Sequence, residues 1–194
     1  MATSFHGLTF LTEPGRVFTP RPSTESLVDA ALERLGDEPA RVADVGTGAG
    51  VIAVTLALRS RTCPLPRPRP AARATDKCAS ALRVATANAK RLGAQMHLVQ
   101  GDLLDAIPRD LDLIVANLPY LAPGTPGYED EPEAAVFSTG DGLDHYRRLL
   151  AGAADHLADG GGVLLQYEGK LLEAERSELP WLRTQLESLV AAAA

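Results

Sequence analysis

Residues 41–59 set a short β-prone run, Arg41 to Val45, directly before Gly46-Thr47-Gly48-Ala49-Gly50 and a helical apolar period. Glycines at alternate positions let the backbone turn tightly and let a ligand approach with no Cβ in the way. The helix that follows aims its free N–H groups into the same turn. A strand that feeds a helix in this way needs neighbouring strands and crossover helices to bury its faces. The rest of the chain supplies them. AARAT (71–75), MHLVQ (96–100), LDLIVA (111–116) and GGVLLQY (161–167) read as further strands. Helical periods fall at 49–59, at 78–92 with Gly93 as the stop, and at 143–157 with Tyr146, Leu149, Leu150 and Ala153 on one face. The fold class implied is α/β with a mainly parallel sheet.

Before this alternation, GLTFLTEPGRVFTPRP (7–22) has two β-prone runs and reads as a hairpin turning at Pro14-Gly15. Ser23 and Thr24 are N-cap candidates for a helix that buries Leu27, Val28, Ala31 and Leu35 and stops at Gly36. The division expected is 1–22 as hairpin and site wall and 23–194 as catalytic domain. After Tyr167 a single helical segment is expected, carrying Leu171, Leu172, Leu179, Leu182, Leu186, Leu189 and Val190. That leaves strand five, GVLLQY, as an apolar edge to be covered by this helix or by a second subunit. The Pro/Arg stretch at 63–73, with Arg67, Arg69 and Arg73, reads as a solvated loop.

In 194 residues, 19 Lys and Arg stand against 25 Asp and Glu, a net charge of -6 that weighs against a general polyanion-binding role. Two cysteines, Cys63 and Cys78, and four scattered histidines make neither a disulfide framework nor a zinc site. Cys78 reads as inert packing, and His145 and His156 as surface or rim residues. No signal sequence or membrane span is evident, so a cytoplasmic, metal-free protein is expected.

In an open parallel sheet, functional groups collect beyond the carboxyl ends of the strands. The first strand ends in Asp44-Val45-Gly46-Thr47-Gly48-Ala49-Gly50, the second in Asp76, and the third in Gln100-Gly101-Asp102-Leu103. A dinucleotide pattern can be laid on the first as Gly48-x-Gly50-x-x-Ala53, with Asp76 as ribose acid. The closer fit is D-x-G-x-G-x-G, which resembles the signature of class I S-adenosylmethionine-dependent methyltransferases. The fourth strand runs into Asn117-Leu118-Pro119-Tyr120, which is similar to the N-[PIL]-P-[YFW] motif of methyltransferases that modify planar, conjugated nitrogens. Such a nitrogen has a delocalised lone pair, so its NH2 must be oriented and the developing positive charge stabilised. Asn117 offers a side-chain oxygen and Leu118 a carbonyl, Pro119 holds the turn, and Tyr120 stacks on the planar group.

Over most of its length, from Phe5 to about Tyr167, the chain resembles the HemK/PrmC family of protein-(glutamine-N5) methyltransferases. FHGLTF, VFTPRPSTESLV, VADVGTGAG, DKCASALRVATANAKRLG and EDEPEAAVFSTGDGLDHYRRLL carry the likeness. The resemblance implies a Rossmann-like sheet in strand order 3-2-1-4-5 with an N-terminal hairpin, here expected without the usual C-terminal hairpin. It implies S-adenosylmethionine as cofactor, held by Phe18, Pro20, Arg21, Pro22, Asp44, Gly46, Thr47, Gly48, Ala49, Gly50, Asp76, Lys77, Asp102, Leu103 and Asn117. Asn117, Leu118, Pro119 and Tyr120 would hold the substrate amide, a glutamine of a peptide-chain release factor. Leu118 stands where the glutamine enzymes have Pro, and the Asn-Leu-Pro-Tyr form also occurs in rRNA adenine dimethyltransferases. Adenine in RNA or DNA is therefore the alternative acceptor, and a weakly catalytic cofactor-binding or interaction module is the alternative role. The chain begins almost at the hairpin, so recognition is expected to rest on loops, an accessory protein or a homodimer.

Overall fold

The computed structural model describes residues 1–59 and 72–193; most of the Pro/Arg stretch, with Cys63, Arg67 and Arg69, lies outside them. Strands β1 (Ala2–Phe5) and β2 (Leu8–Leu11) pair antiparallel, with Phe5 opposite Leu8. The turn is thus His6-Gly7, at φ 50° and 75°, and not Pro14-Gly15. A two-residue loop with both φ values positive matches the twist of the strands it joins. The chain does turn at Pro14-Gly15, where the N–H groups of Arg16 and Val17 donate to the Glu13 carbonyl, but no paired strand follows.

A 3₁₀ turn at Pro22–Thr24 leads into α1 (Glu25–Leu35). The βα alternation follows as read: β3 (Val42–Val45), α2 (Val51–Arg59), β4 (Ala72–Asp76), α3 (Ala79–Leu92), β5 (His97–Gln100) and β6 (Leu111–Ala116). After the one-turn α4 (Glu133–Val136) come α5 (Asp144–His156), β7 (Leu157–Tyr167), β8 (Lys170–Glu175) and α6 (Leu179–Ala193). The sheet order is β5-β4-β3-β6-β7-β8, with the first five strands parallel. This is the expected 3-2-1-4-5 order with one strand added.

That added strand corrects the reading of the C-terminus. Leu171 and Leu172 belong to β8, which pairs antiparallel with β7 from Tyr167↔Lys170 to Gly162↔Glu175 and covers the edge left to a helix or a second subunit. Its loop, Glu168-Gly169 at φ 48° and 74°, is again the tight hairpin type. KLLEAE lacks the β-branched and aromatic residues that mark a strand, and its Leu-Leu pair suits a helical period as well. Gly160 to Gly162 lie inside β7 at an irregularity where pairing passes from Leu111↔Leu157 to Leu113↔Gly162. A Cβ on Gly161 would sit 2.6 Å from the Leu111 carbonyl oxygen, so the close approach of the strands requires glycine.

The central strands are apolar on both faces because both are covered. Ile114 and Ala116 of β6 join a core with Tyr146 and Leu149 of α5 and Leu179, Leu182 and Leu186 of α6. Leu113 and Val115 face the opposite core, with Leu27 and Val28 of α1, α2, α3 and the two Phe of the hairpin. Burial of each such leucine, isoleucine, valine or phenylalanine side chain stabilises by about 1.5–3 kcal/mol. Among the described residues no helix is long and apolar enough to cross a membrane.

Candidate active site

A cavity of about 180 Å³ opens at the carboxyl ends of the parallel strands. Its floor is the glycine turn. Gly46 and Thr47 both donate their N–H to the Thr75 carbonyl at 2.9 Å, which ties the turn to β4. A Cβ on Gly46, at φ 76°, would lie 2.7 Å from Leu118 Cδ2, so the turn is seated against the tetrapeptide after β6. Asp76 accepts from Gly48 N–H on Oδ2 (2.9 Å) and from Cys78 N–H on Oδ1 (2.8 Å). A carboxylate has about four acceptor sites, so both oxygens keep capacity for a diol. Asp102 is held below the usual carboxylate range by its hydrogen bond from Arg148, at 2.6 Å on Oδ2. Leu103 takes a left-handed conformation, φ 49°, and its carbonyl accepts from the Thr75 hydroxyl at 2.9 Å.

The Asn117-Leu118-Pro119-Tyr120 tetrapeptide is anchored from three directions. Asn117 Nδ2 donates to Thr24 Oγ1 at 3.1 Å, which fixes the amide and leaves Oδ1 for a ligand. Thr24 heads α1 but makes no capping hydrogen bond; its hydroxyl serves Asn117 instead. Leu118 lies against the buried Tyr146 hydroxyl, its N–H donating at 3.2 Å and its carbonyl 3.3 Å away. The same hydroxyl contacts the Gln166 carbonyl on β7, and burial pushes its pKa far up, so it stays protonated. Half-buried Tyr120 packs tilted against Tyr167, ring centroids 5.1 Å apart, and its carbonyl lies so close to Gly142 that a Cβ there would approach to 2.1 Å.

Two segments wall the opening. Arg21 pairs with Glu131 at 2.7 Å and sits 5.3 Å above the Phe18 ring, while Thr19 N–H donates to the other Glu131 oxygen at 2.9 Å. The segment before α1 is thereby fastened to the one after Tyr120.

Of the residues expected from sequence, Phe18, Pro20, Arg21, Gly46, Thr47, Gly48, Ala49, Asp76, Lys77, Asp102, Leu103 and Asn117 to Tyr120 line this cavity. Pro22, Asp44 and Gly50 do not. Asp44 lies beneath the turn, where Oδ2 accepts from Thr47 Oγ1 (2.7 Å) and Ala53 N–H (3.1 Å). Gly50 allows α2 to pack on α3, since a Cβ would come within 3.0 Å of Ala85. Cys78 and His145 also line the cavity; the His145 ring meets Ser138 Oγ at 2.8 Å, and burial lowers its pKa. Thr24, Tyr146, Gly142 and Gln166 were not singled out as site residues. Thr24 reads as a cap and Tyr146 as core, and Gly142 lies in a segment that carries the family likeness with no role of its own. For Gln166, the one available signal was an amide in an otherwise apolar strand.

A doubly covered parallel sheet, a glycine turn, an acid after the second strand and Asn-x-Pro-Tyr after the fourth, all opening on one cavity, define an α/β methyltransferase domain. The family model of the methyltransferase small domain matches residues 8–129, and the chain belongs to that family. Curated relatives named release factor glutamine methyltransferase, from Bordetella pertussis and Neisseria gonorrhoeae, are 39% and 41% identical over 84% of this chain, in line with the HemK/PrmC resemblance. The chain spans 61% and 59% of their respective lengths. Among solved structures, an S-adenosylmethionine-dependent methyltransferase from Agrobacterium tumefaciens superposes with a TM-score of 0.59 at 19% identity, covering 85% of this chain and 51% of that one. A 16S rRNA methyltransferase from T. thermophilus, solved with AdoMet and guanosine, gives 0.58 at 20% identity, covering 85% and 40%. At these identities the likeness is one of fold.

Proposed function

We propose that this chain is an S-adenosylmethionine-dependent N-methyltransferase acting on a glutamine side-chain amide of a protein, a peptide-chain release factor. The observation that carries the reading is the Asn117 carboxamide, held by Thr24 with its oxygen left for a ligand, beside the Leu118 backbone and the Tyr120 ring. The names of the curated relatives support the choice of substrate.

The residues present fit the cofactor. Gly48, at φ 56° with open space where a Cβ would stand, leaves backbone exposed at the floor. Asp76 retains lone pairs for ribose hydroxyls, and Asp102 and Leu103 border the same space. Bound there, S-adenosylmethionine would supply an electrophilic methyl group. The chain's own task is to present the nucleophile. Asn117 Oδ1 and the Leu118 carbonyl accept N–H groups of the substrate amide, hold its nitrogen in place and stabilise the positive charge that develops on it. Once alkylated, the amide nitrogen is acidic enough to lose its proton to water, so no strong base is needed.

Incubation with S-adenosylmethionine and either a release factor or a capped Gly-Gly-Gln peptide, followed by mass spectrometry, tests the reading. Methylated glutamine is the expected product, and a methylated adenine oligonucleotide with untouched glutamine would overturn it. Asn117→Ala is expected to lower kcat by about 100-fold or more while changing cofactor affinity only a few-fold. Normal turnover by that variant would refute the assigned mechanism.

A further inference from the structure

We propose that Gln166 is a further hydrogen-bond acceptor for the NH2 of the methyl-accepting group, and that with Asn117 it selects an amide over a carboxylate of the same shape. This rests on the cavity being the site of N-methyl transfer. Gln166 is the penultimate residue of β7, is 2% exposed and lines the cavity. Its Nε2 donates to the Ser23 carbonyl at 2.6 Å, whereas its buried Oε1 has no hydrogen-bond partner among the described residues. Burying an acceptor with no donor is costly, so the position calls for a donor from elsewhere. The other such atom, Asp44 Oδ1, lies beneath the glycine turn and not on the cavity.

The register of the sheet places Gln166 beside Asn117. Ala116↔Leu165 is the last pair of the ladder, so Asn117 and Gln166 are the next residue on each chain just past it. Both carboxamides turn their NH2 groups to the same short segment before α1, Asn117 to Thr24 Oγ1 and Gln166 to the Ser23 carbonyl. Each amide is thereby fixed with its oxygen away from that segment. The Leu118 carbonyl already has the Tyr146 hydroxyl 3.3 Å away, so Gln166 Oε1 adds to it as an acceptor for the second N–H. An NH2 group carries two N–H bonds in one plane; one goes to Asn117 Oδ1, and the other is shared between the Leu118 carbonyl and Gln166 Oε1. A carboxylate would set oxygen against oxygen. Sites that bond a substrate N–H discriminate strongly against the analogue that lacks it.

The test uses the whole protein with S-adenosylhomocysteine bound. The Gln166 side-chain NH2 resonances, assigned by their loss in Gln166→Glu, are expected to shift on titration with capped Gly-Gly-Gln and to stay put with capped Gly-Gly-Glu. Gln166→Met, of similar length with no acceptor oxygen, is expected to lower kcat/KM for the glutamine peptide about 10–100-fold, with S-adenosylhomocysteine affinity within about two-fold. Unchanged kcat/KM in Gln166→Met, in a protein that methylates glutamine, would overturn the role of Gln166 and leave the proposed function standing. Resonances that respond to an adenine-bearing oligonucleotide and not to the glutamine peptide would keep Gln166 as an NH2 acceptor and overturn the glutamine reading. Resonances indifferent to both would overturn the inference itself.

Discussion

Both hydrogen bonds to the Asp44 side chain end on the same oxygen, Oδ2, and the other oxygen is buried without a donor. Burial is the main reason its pKa rises from 3.8 to about 7, with Asp76 adding to the rise against the opposing bonds from Thr47 and Ala53. The folded state therefore holds this proton more tightly than the unfolded chain does. The stability it contributes is complete below about pH 4 and is lost as pH rises toward and through 7. Between pH 5 and 7 the ligand-free protein is expected to lose up to about 1 kcal/mol per pH unit from this group. Urea midpoints measured across that range should fall, and Asp44→Asn should flatten the slope by keeping both bonds on its carbonyl oxygen. The glycine turn, Asp76 and Asn117 were legible in sequence because each residue type is needed for chemistry at a strand end. Thr24 and Gln166 were not, because their role is set by which neighbour the fold brings near, a contact across 93 residues for Thr24 and 143 for Gln166.

Strands and helices with covered faces were readable where two signals agreed, as for β3, β6, α3 and α5, where the apolar pattern matched the turn chemistry at the ends. The two hairpins were misread or missed for one reason: His6-Gly7 and Glu168-Gly169 place a residue other than Asn or Asp at the first positive φ, which weakens the sequence signal. Besides its buried Phe5 and Phe10, the first hairpin is tied to the domain by Asn88 of α3. Fully buried, it accepts from Leu11 N–H at 2.7 Å and donates to the Leu11 and Ala49 carbonyls at 3.0 and 2.9 Å. It continues the hairpin's hydrogen bonding onto a helix and touches the glycine turn. Asn88→Ala leaves those groups unpaired and is expected to destabilise by about 2–4 kcal/mol, read from denaturant midpoints. Release of β1 and β2 should show as faster amide exchange there than in β6. At the other end of the sheet, β8 exposes Lys170, Glu173 and Glu175, so the outermost strand is charged and resists pairing with another copy.

For the molecule as a whole, the cavity takes residues from the segment before α1 and from the ends of β3, β4, β6 and β7. A ligand that binds this assembled cavity and not the unfolded chain couples its binding to global stability. At 100 times its Kd, S-adenosylmethionine is expected to add about 2.7 kcal/mol, which for a chain of this size raises Tm by roughly 5–10 °C. Differential scanning fluorimetry against a ligand series checks this, and NADH should give no shift.

Synthesis from the amino end meets this arrangement in a definite order. A nascent chain ending before β7 already carries the glycine turn, Asp76 and Asn117, yet its sheet lacks the strand that pairs with β6 and brings Gln166 to the cavity. Parallel pairing also waits on long crossovers and is slow. The proposed methyl transfer thus depends on the docking of the last parallel strand, after the glycine turn, Asp76 and Asn117 have been made.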